Sequence, residues 1–207
     1  MSEPKKRKLG VVLFPDFELL DVFGPLEMFG MLQGLVEISV IAEKAGPVKS
    51  AQGPEVVAHH GFADCPALDL VLVPGGMGTR AEVDNPAIVN FLRRRLPEAE
   101  VAMSVCSGSS LFAAAGVLDG RRATTNKMFF QWIADQGPKV NWVKEARWVE
   151  DGSYVTSSGV SAGMDMSLAV ISKLYGSQVS ENLAVAAEYD WHRDAGWDPF
   201  AKVHGLV

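Results

Sequence analysis

Short apolar runs alternate with amphipathic stretches along this chain, and that alternation predicts a parallel sheet covered on both faces by helices. The run Leu9–Phe14 stops at Pro15 and reads as a strand buried on both sides. In Glu18–Leu32 the apolar residues Leu19, Val22, Leu26 and Phe29 recur three and four apart, which predicts a helix kinked at Gly24-Pro25. Further strands are expected at Val36–Ala42, Leu68–Val73 and Val101–Val105. Between the last two, Asn85 and Pro86 supply the cap and first residue of a helix ending near Arg93-Arg94-Arg95, whose charges suit the negative pole of its dipole. Val48-Lys49-Ser50 and Glu55-Val56-Val57 flank Gly53-Pro54 and predict a small hairpin inserted at an edge of the sheet. The second half adds a strand at Ala123–Thr125, a helix from about Met128 to Asp135, and short strands near Arg147–Val149 and Tyr154–Ser157. A helix at Ala162–Tyr175 follows, with Ser161 as its cap and Met164, Leu168, Ile171 and Leu174 as its apolar stripe. No composition break or repeat divides the chain, so residues 1–207 read as one domain.

Composition narrows the classes of function. Lys plus Arg number 19 against 25 Asp plus Glu, a formal charge of −6, which argues against a broad basic face for nucleic acid. A chain of this length buries roughly 70% of its unfolded surface, so the two cysteines, Cys65 and Cys106, need not act as a staple. The basic run Lys5-Lys6-Arg7-Lys8 after Pro4 has the look of a nuclear-localisation stretch, but its ordinary reading is a solvated tail. Leu9–Phe14 is too short for the core of a secretory signal. Val101–Leu118 is uncharged over eighteen residues, yet its character changes at Cys106-Ser107-Gly108, as a strand turning into a helix does. The expectation is a cytoplasmic protein with neither nucleic acid nor membrane as partner.

Ligands of an open parallel sheet bind where the loops leave the carboxyl ends of its strands. Those loops carry Pro15, Asp16, Glu18 and Asp21 after the first strand, Pro74-Gly75-Gly76-Met77-Gly78 after the third, and Cys106-Ser107-Gly108-Ser109 after the fourth. The last has the pattern of a nucleophile elbow, a reactive residue on a sharp turn from strand to helix. A cysteine there meets the positive end of a helix and free N–H groups, which lowers the expected thiol pKa. The amides of Ser107 and of Gly75 or Gly76 are candidates for holding negative charge on a substrate. The plain alternative is a small buried hydrophobe at the end of a core strand, and spacing alone divides the two evenly. Cys65 has no helix start after it and is read as structural. Adjacent His59-His60 lack metal-ligand spacing, and the glycine turn lacks the Lys and Ser/Thr of a phosphate loop. His192-Arg193-Asp194 mimics a kinase tripeptide without its companions.

Phe14-Pro15, Leu20-Asp21-Val22-Phe23-Gly24-Pro25, Pro74-Gly75-Gly76-Met77-Gly78, Val105-Cys106-Ser107-Gly108-Ser109 and Arg121-Arg122-Ala123-Thr124-Thr125, in that order, closely resemble the ThiJ/PfpI superfamily. The resemblance runs from about Leu9 to Tyr189. The Leu-Asp-x-x-Gly-Pro segment, Phe62–Pro66 and Gly159–Asp165 look most like isocyanide hydratases and the ligand-binding halves of AraC-type regulators, whose helix-turn-helix domain the 207 residues leave no room for. The resemblance implies a flavodoxin-like three-layer α/β sandwich, a homodimer, and no cofactor or metal. It also implies Cys106 as nucleophile, Asp21 as the carboxylate that holds or shuttles a proton, and backbone amides of Gly76 and Ser107 beside them. In the hydratases similar to it, the thiolate attacks the terminal isocyanide carbon and water then releases an N-substituted formamide. Two positions depart from the pattern. Asn126 stands where many members carry a histidine after the Thr-Thr pair, which counts against a local Cys-His hydrolase and against glyoxalase-type chemistry. Ser107 stands where the hydratases commonly have Thr. Phe23, Met77, Met128, Phe129 and Trp132 would narrow the pocket for a small apolar substrate. The reading from another class is a sensor in which Cys106 is oxidised or the pocket binds a ligand without turnover.

Overall fold

The computed structural model describes residues 5–207. Its main sheet has seven strands in the order β10-β11-β7-β6-β1-β2-β5: β1 Arg7–Val12, β2 Val36–Ala42, β5 His60–Gly61, β6 Leu70–Val73, β7 Val101–Ser104, β10 Trp148–Asp151 and β11 Tyr154–Ser157. All neighbours run parallel except β10 and β11. Strands β6 and β7 are buried along their whole length, which is what continuous apolar runs in a doubly covered sheet require. Helices α1 (Leu19–Gly30), α6 (Ala162–Tyr175) and α7 (Ser177–Ala186) pack together as one group. The helices α2 (Thr79–Glu82), α3 (Pro86–Arg95), α4 (Gly108–Ala114) and α5 (Phe130–Gln136) form the other. This is the α/β sandwich with a mainly parallel sheet that the alternation of runs predicts.

The sequence boundaries hold best where the local chemistry is strong. Asn85 accepts a hydrogen bond from the Ala87 N–H and so caps α3, with Pro86 at its first position. Helix α6 spans the predicted residues, although Ser161 makes no side-chain cap bond. Val101–Leu118 divides into β7 and α4, and no described helix is long and apolar enough to cross a membrane. Helix α1 runs through Pro25 as one element.

One expectation is corrected. Of the basic segment Pro4–Lys8, Pro4 lies outside the described residues and the rest is no solvated tail. Arg7 and Lys8 begin β1, Arg7 is clamped by both oxygens of Glu100, and Lys5 pairs with Asp69 and Glu100. Paired carboxylates on neighbouring turns neutralise the run and let the strand start two residues earlier than its apolar part. The inserted hairpin is present as expected: β3 (Gly46–Lys49) and β4 (Glu55–Ala58) form an antiparallel pair that lies in the chain between β2 and the edge strand β5. It clasps the loop after β1, through Asp16 N–H to Lys49 O, Ala51 N–H to Phe17 O, and Gln52 bound to both Leu19 N–H and Glu18.

The strand order places the site. The chain leaves β1 on one side toward β2 and returns on the other to β6, so the loops after β1 and β6 part at this point and open a crevice. Asp21 follows β1, Gly75 and Gly76 follow β6, and Cys106 follows β7, on three consecutive strands.

Candidate active site

Cys106, two residues beyond the end of β7, has φ of 57°, a left-handed conformation that costs a non-glycine residue about 1–3 kcal/mol and is held only by surrounding bonds. Those bonds are present. Its N–H donates to Ser158 O, and its carbonyl accepts from the hydroxyls of Thr125 at 2.9 Å and Ser109 at 3.2 Å. The strand therefore turns sharply into α4, as the elbow pattern predicts. Val160 nearby is also left-handed, with φ of 27°.

Asp21, in the first turn of α1, is completely buried and reaches the same point. Its Oδ2 accepts from the Gly75 N–H at 2.8 Å, while Oδ1 is buried with no hydrogen-bond partner. Burial raises the Asp21 pKa well above the ordinary carboxylate range, and the charge of Glu18 adds to the rise. Burial likewise pushes the Cys106 thiol up, with Asp21 as the second cause. The N–H groups of Val160 and Ser107 and the Asn126 side chain pull it the other way. The expected lowering is thus corrected: the helix start contributes, but desolvation and a neighbouring carboxylate outweigh it. Two acids in one dry site titrate as a pair.

The glycine turn also behaves differently from the expectation. Gly75 offers its N–H to Asp21 rather than to the cavity, and the Gly76 N–H donates to Ser107 Oγ at 3.0 Å. Both amides, expected as donors to a substrate, are engaged by side chains, and Thr79 Oγ1 completes the cluster against Ser107 Oγ at 3.2 Å. A Cβ on Gly75 would stand 2.6 Å from Ser107 N and 2.9 Å from Asp21 Oδ2, and Gly76 has φ of 123°. Gly75→Ala is therefore expected to push Asp21 away from Cys106 and to destabilise the fold by about 2 kcal/mol, which lowers Tm by roughly 4–8 °C. A melting curve unchanged from the parent protein contradicts this packing.

Cys106 opens on a cavity of about 210 Å³ lined also by Glu18, Gly76, Met77, Thr79, Arg80, Ser107, Asn126, Met128, Phe129, Trp132 and Val160. Four of the five bulky residues expected there are present, and Phe23 is not: it lies exposed on α1. No histidine lines this cavity. His192 packs against Trp197 with ring centres 5.5 Å apart. His59 Nδ1 accepts from the Val40 N–H, and no group of metal-ligating side chains occurs among the described residues. A larger cavity, about 360 Å³, lies beside the hairpin between Phe14, Glu43, Phe62 and Glu82, without Cys106 or Asp21. Cys65 is half-buried, with its thiol pKa raised by burial. Sequence reasoning missed Val160, Thr79 and Arg80. The loop after the predicted strand at Tyr154–Ser157 was the available signal for Val160, since it too leaves the carboxyl edge.

The profile of the DJ-1/PfpI family matches residues 7–173. An isonitrile hydratase of Pseudomonas putida is 32% identical over 182 residues, 88% of this chain and 78% of that protein. The chain belongs to the DJ-1/PfpI family. The HTH-type transcriptional regulator GbdR of Pseudomonas aeruginosa is 27% identical over 89% of this chain, which spans 51% of that regulator. Among solved structures, a ThiJ/PfpI family protein from Pseudomonas syringae superposes with a TM-score of 0.84 at 32% identity, covering 90% of this chain and 76% of that one. DJ-1/PfpI membership thus covers catalysts and regulators alike, and the site's own chemistry must choose between them.

Proposed function

We propose that this DJ-1/PfpI protein is a cofactor-free hydratase that converts small isocyanides into N-substituted formamides. The observation that carries the reading is the Asp21–Cys106 pair: a buried carboxyl oriented by the Gly75 N–H, with one oxygen unpartnered, beside a thiol in a cavity without histidine. A hydrolase of the Cys-His type needs a base that this cavity lacks, whereas an isocyanide needs a nucleophile and one proton at the same carbon. In the proposed sequence the Cys106 sulfur attacks the terminal carbon while the pair's proton, held by Asp21, is delivered to that carbon. The product is a thioimidate, R–N=CH–S. Water then adds to its C=N bond, and the tetrahedral carbon expels the thiolate, leaving R–NH–CHO and returning a proton to Asp21. Atoms balance as isocyanide plus water to formamide. The likeness to an isonitrile hydratase supports the same reading, as do the apolar walls of Met77, Met128, Phe129 and Trp132.

In this reading the substrate is a small molecule, the chain acts as a homodimer, and exposed Leu20 and Phe23 on α1 are available for self-association. The test is formamide production from cyclohexyl isocyanide by the reduced protein, followed by infrared loss of the isocyanide and chromatographic appearance of the product. Turnover above the uncatalysed rate that disappears when Cys106 is alkylated is the expected result. A fully reduced protein that yields no formamide above background overturns the reading.

A further inference from the structure

We propose that Arg80, at the mouth of this cavity, selects substrates that carry a carboxylate at the end remote from the isocyanide. The inference rests on the hydratase reading for the reaction and on its own geometry for the selection. The Arg80 guanidinium carbon lies 4.5 Å from the ring centre of Trp132 and 5.3 Å from that of Phe129, so the planar cation is seated on two aromatic rings that also line the cavity. The other cavity walls contributed by long side chains are Glu18, Met77 and Met128.

Arg80 has no carboxylate within 4.0 Å among the described residues, unlike Lys5, Arg7, Arg95, Arg121, Arg147 and Arg193. Nor does it donate a side-chain hydrogen bond to a described residue, so its fork of donors is unspoken for. A cation held by rings rather than by an ion pair keeps its full charge for a ligand and has already lost much of its rotamer freedom. The opposite sign is also present on the lining. Glu18 also lines the cavity, is tied to the hairpin by the Gln52 amide at 2.7 Å, and exerts its charge on Asp21. A substrate with one anionic end is therefore repelled from Glu18 and drawn toward Arg80, which leaves its neutral isocyanide end for Cys106. Arg80 is exposed, and a bidentate guanidinium–carboxylate contact at such a mouth corresponds to roughly 3- to 10-fold in affinity.

The test separates selection from chemistry. Equilibrium binding of product-type molecules is measured by calorimetry in matched pairs of two lengths: N-formylglycine against its N-methylamide, and 4-formamidobenzoate against formanilide. The expected result is a preference of about threefold or more for the carboxylate in at least one pair, which falls to about one in Arg80→Met and diminishes with added salt. Arg80→Met keeps an apolar stem over the rings, so a merely structural role would weaken both members of a pair alike. Equal affinities in both pairs, absence of carboxylate binding, or a preference that survives Arg80→Met overturns the proposal. Turnover of phenyl isocyanide, which has no carboxylate, is measured alongside with the same protein. Its absence would defeat the hydratase reading, while the binding pairs would still decide the role of Arg80.

Discussion

Asp21→Asn is expected to lower isocyanide turnover by about 10²- to 10⁴-fold, the usual contribution of a positioned acid, while Cys106→Ala brings it to background. The asparagine keeps the shape and can still accept the Gly75 N–H, so what is removed is the exchangeable proton beside the sulfur. The same substitution is expected to change stability in the opposite direction. Burial raises the folded-state pKa of Asp21 above its unfolded value, so the folded protein holds this proton more tightly than the unfolded chain. The associated stability is complete below the unfolded carboxylate value, near pH 4, and is lost as pH rises through the folded value. Asn cannot ionise and carries no such loss. The difference in unfolding free energy between Asp21→Asn and the parent should therefore grow with pH above about 4 and level off once the pair has ionised. Urea titrations at several pH values, read beside the kinetics, check both halves. A variant that retains turnover removes Asp21 from the reaction. One whose stability tracks the parent at every pH contradicts the buried-acid account. A catalyst that becomes more stable when its acid is neutralised is the signature of a site that holds a costly group for chemistry.

How far the sequence reached follows the same physics. Strands β6 and β7, the elbow at Cys106, the capped helix α3 and the stripe of α6 were legible because each is written in local signals: uninterrupted apolar runs, Asn-Pro at a helix start, and apolar residues three and four apart. Asp21 and Cys106 were named from their strand ends and from the resemblance, and the fold brings them together at the crevice. What escaped was set by tertiary context. The Gly75 N–H turns to Asp21 because a carboxylate from a helix fifty-four positions earlier lies there, and no periodicity encodes that. The elevated thiol pKa is another such case, since burial is a property of the finished core rather than of the Cys-Ser-Gly turn. Lys5–Lys8 looked like a tail because its partners, Asp69 and Glu100, sit on distant segments. Helix α7 places Gln178, Ser180, Glu181 and Asn182 toward its start and groups most of its apolar residues near its end, which gives a weak stripe; its packing on α6 makes it a helix.

Asp165→Ala is expected to be the most destabilising of the substitutions outside the site, by about 3–5 kcal/mol, because it strands a buried cation. Asp165, in the first turn of α6, is fully buried, and Arg147, just before β10, is nearly so. Oδ2 accepts from the Arg147 guanidinium at 2.6 Å. Oδ1 accepts from the Tyr189 hydroxyl at 3.0 Å and the His192 N–H at 2.9 Å. One carboxylate therefore ties α6, the antiparallel edge of the sheet and the C-terminal segment, which Arg147 N–H reaches again through Ala195 O. Removing it leaves three sets of donors without water or partner, each costing desolvation that the pair now offsets. At this chain length the loss corresponds to a Tm lower by roughly 6–20 °C. The exposed pair of Arg193 and Glu181 provides the contrast: breaking it should change stability by no more than about 1 kcal/mol. The double substitution Arg147→Met with Asp165→Leu discriminates the cause. If the cost of Asp165→Ala is the abandoned charge, the apolar pair should recover much of it. If it is instead the lost bonds to Tyr189 and His192, the double variant will melt as low as the single one, and the carboxylate's main role will have been to fasten the C-terminal segment.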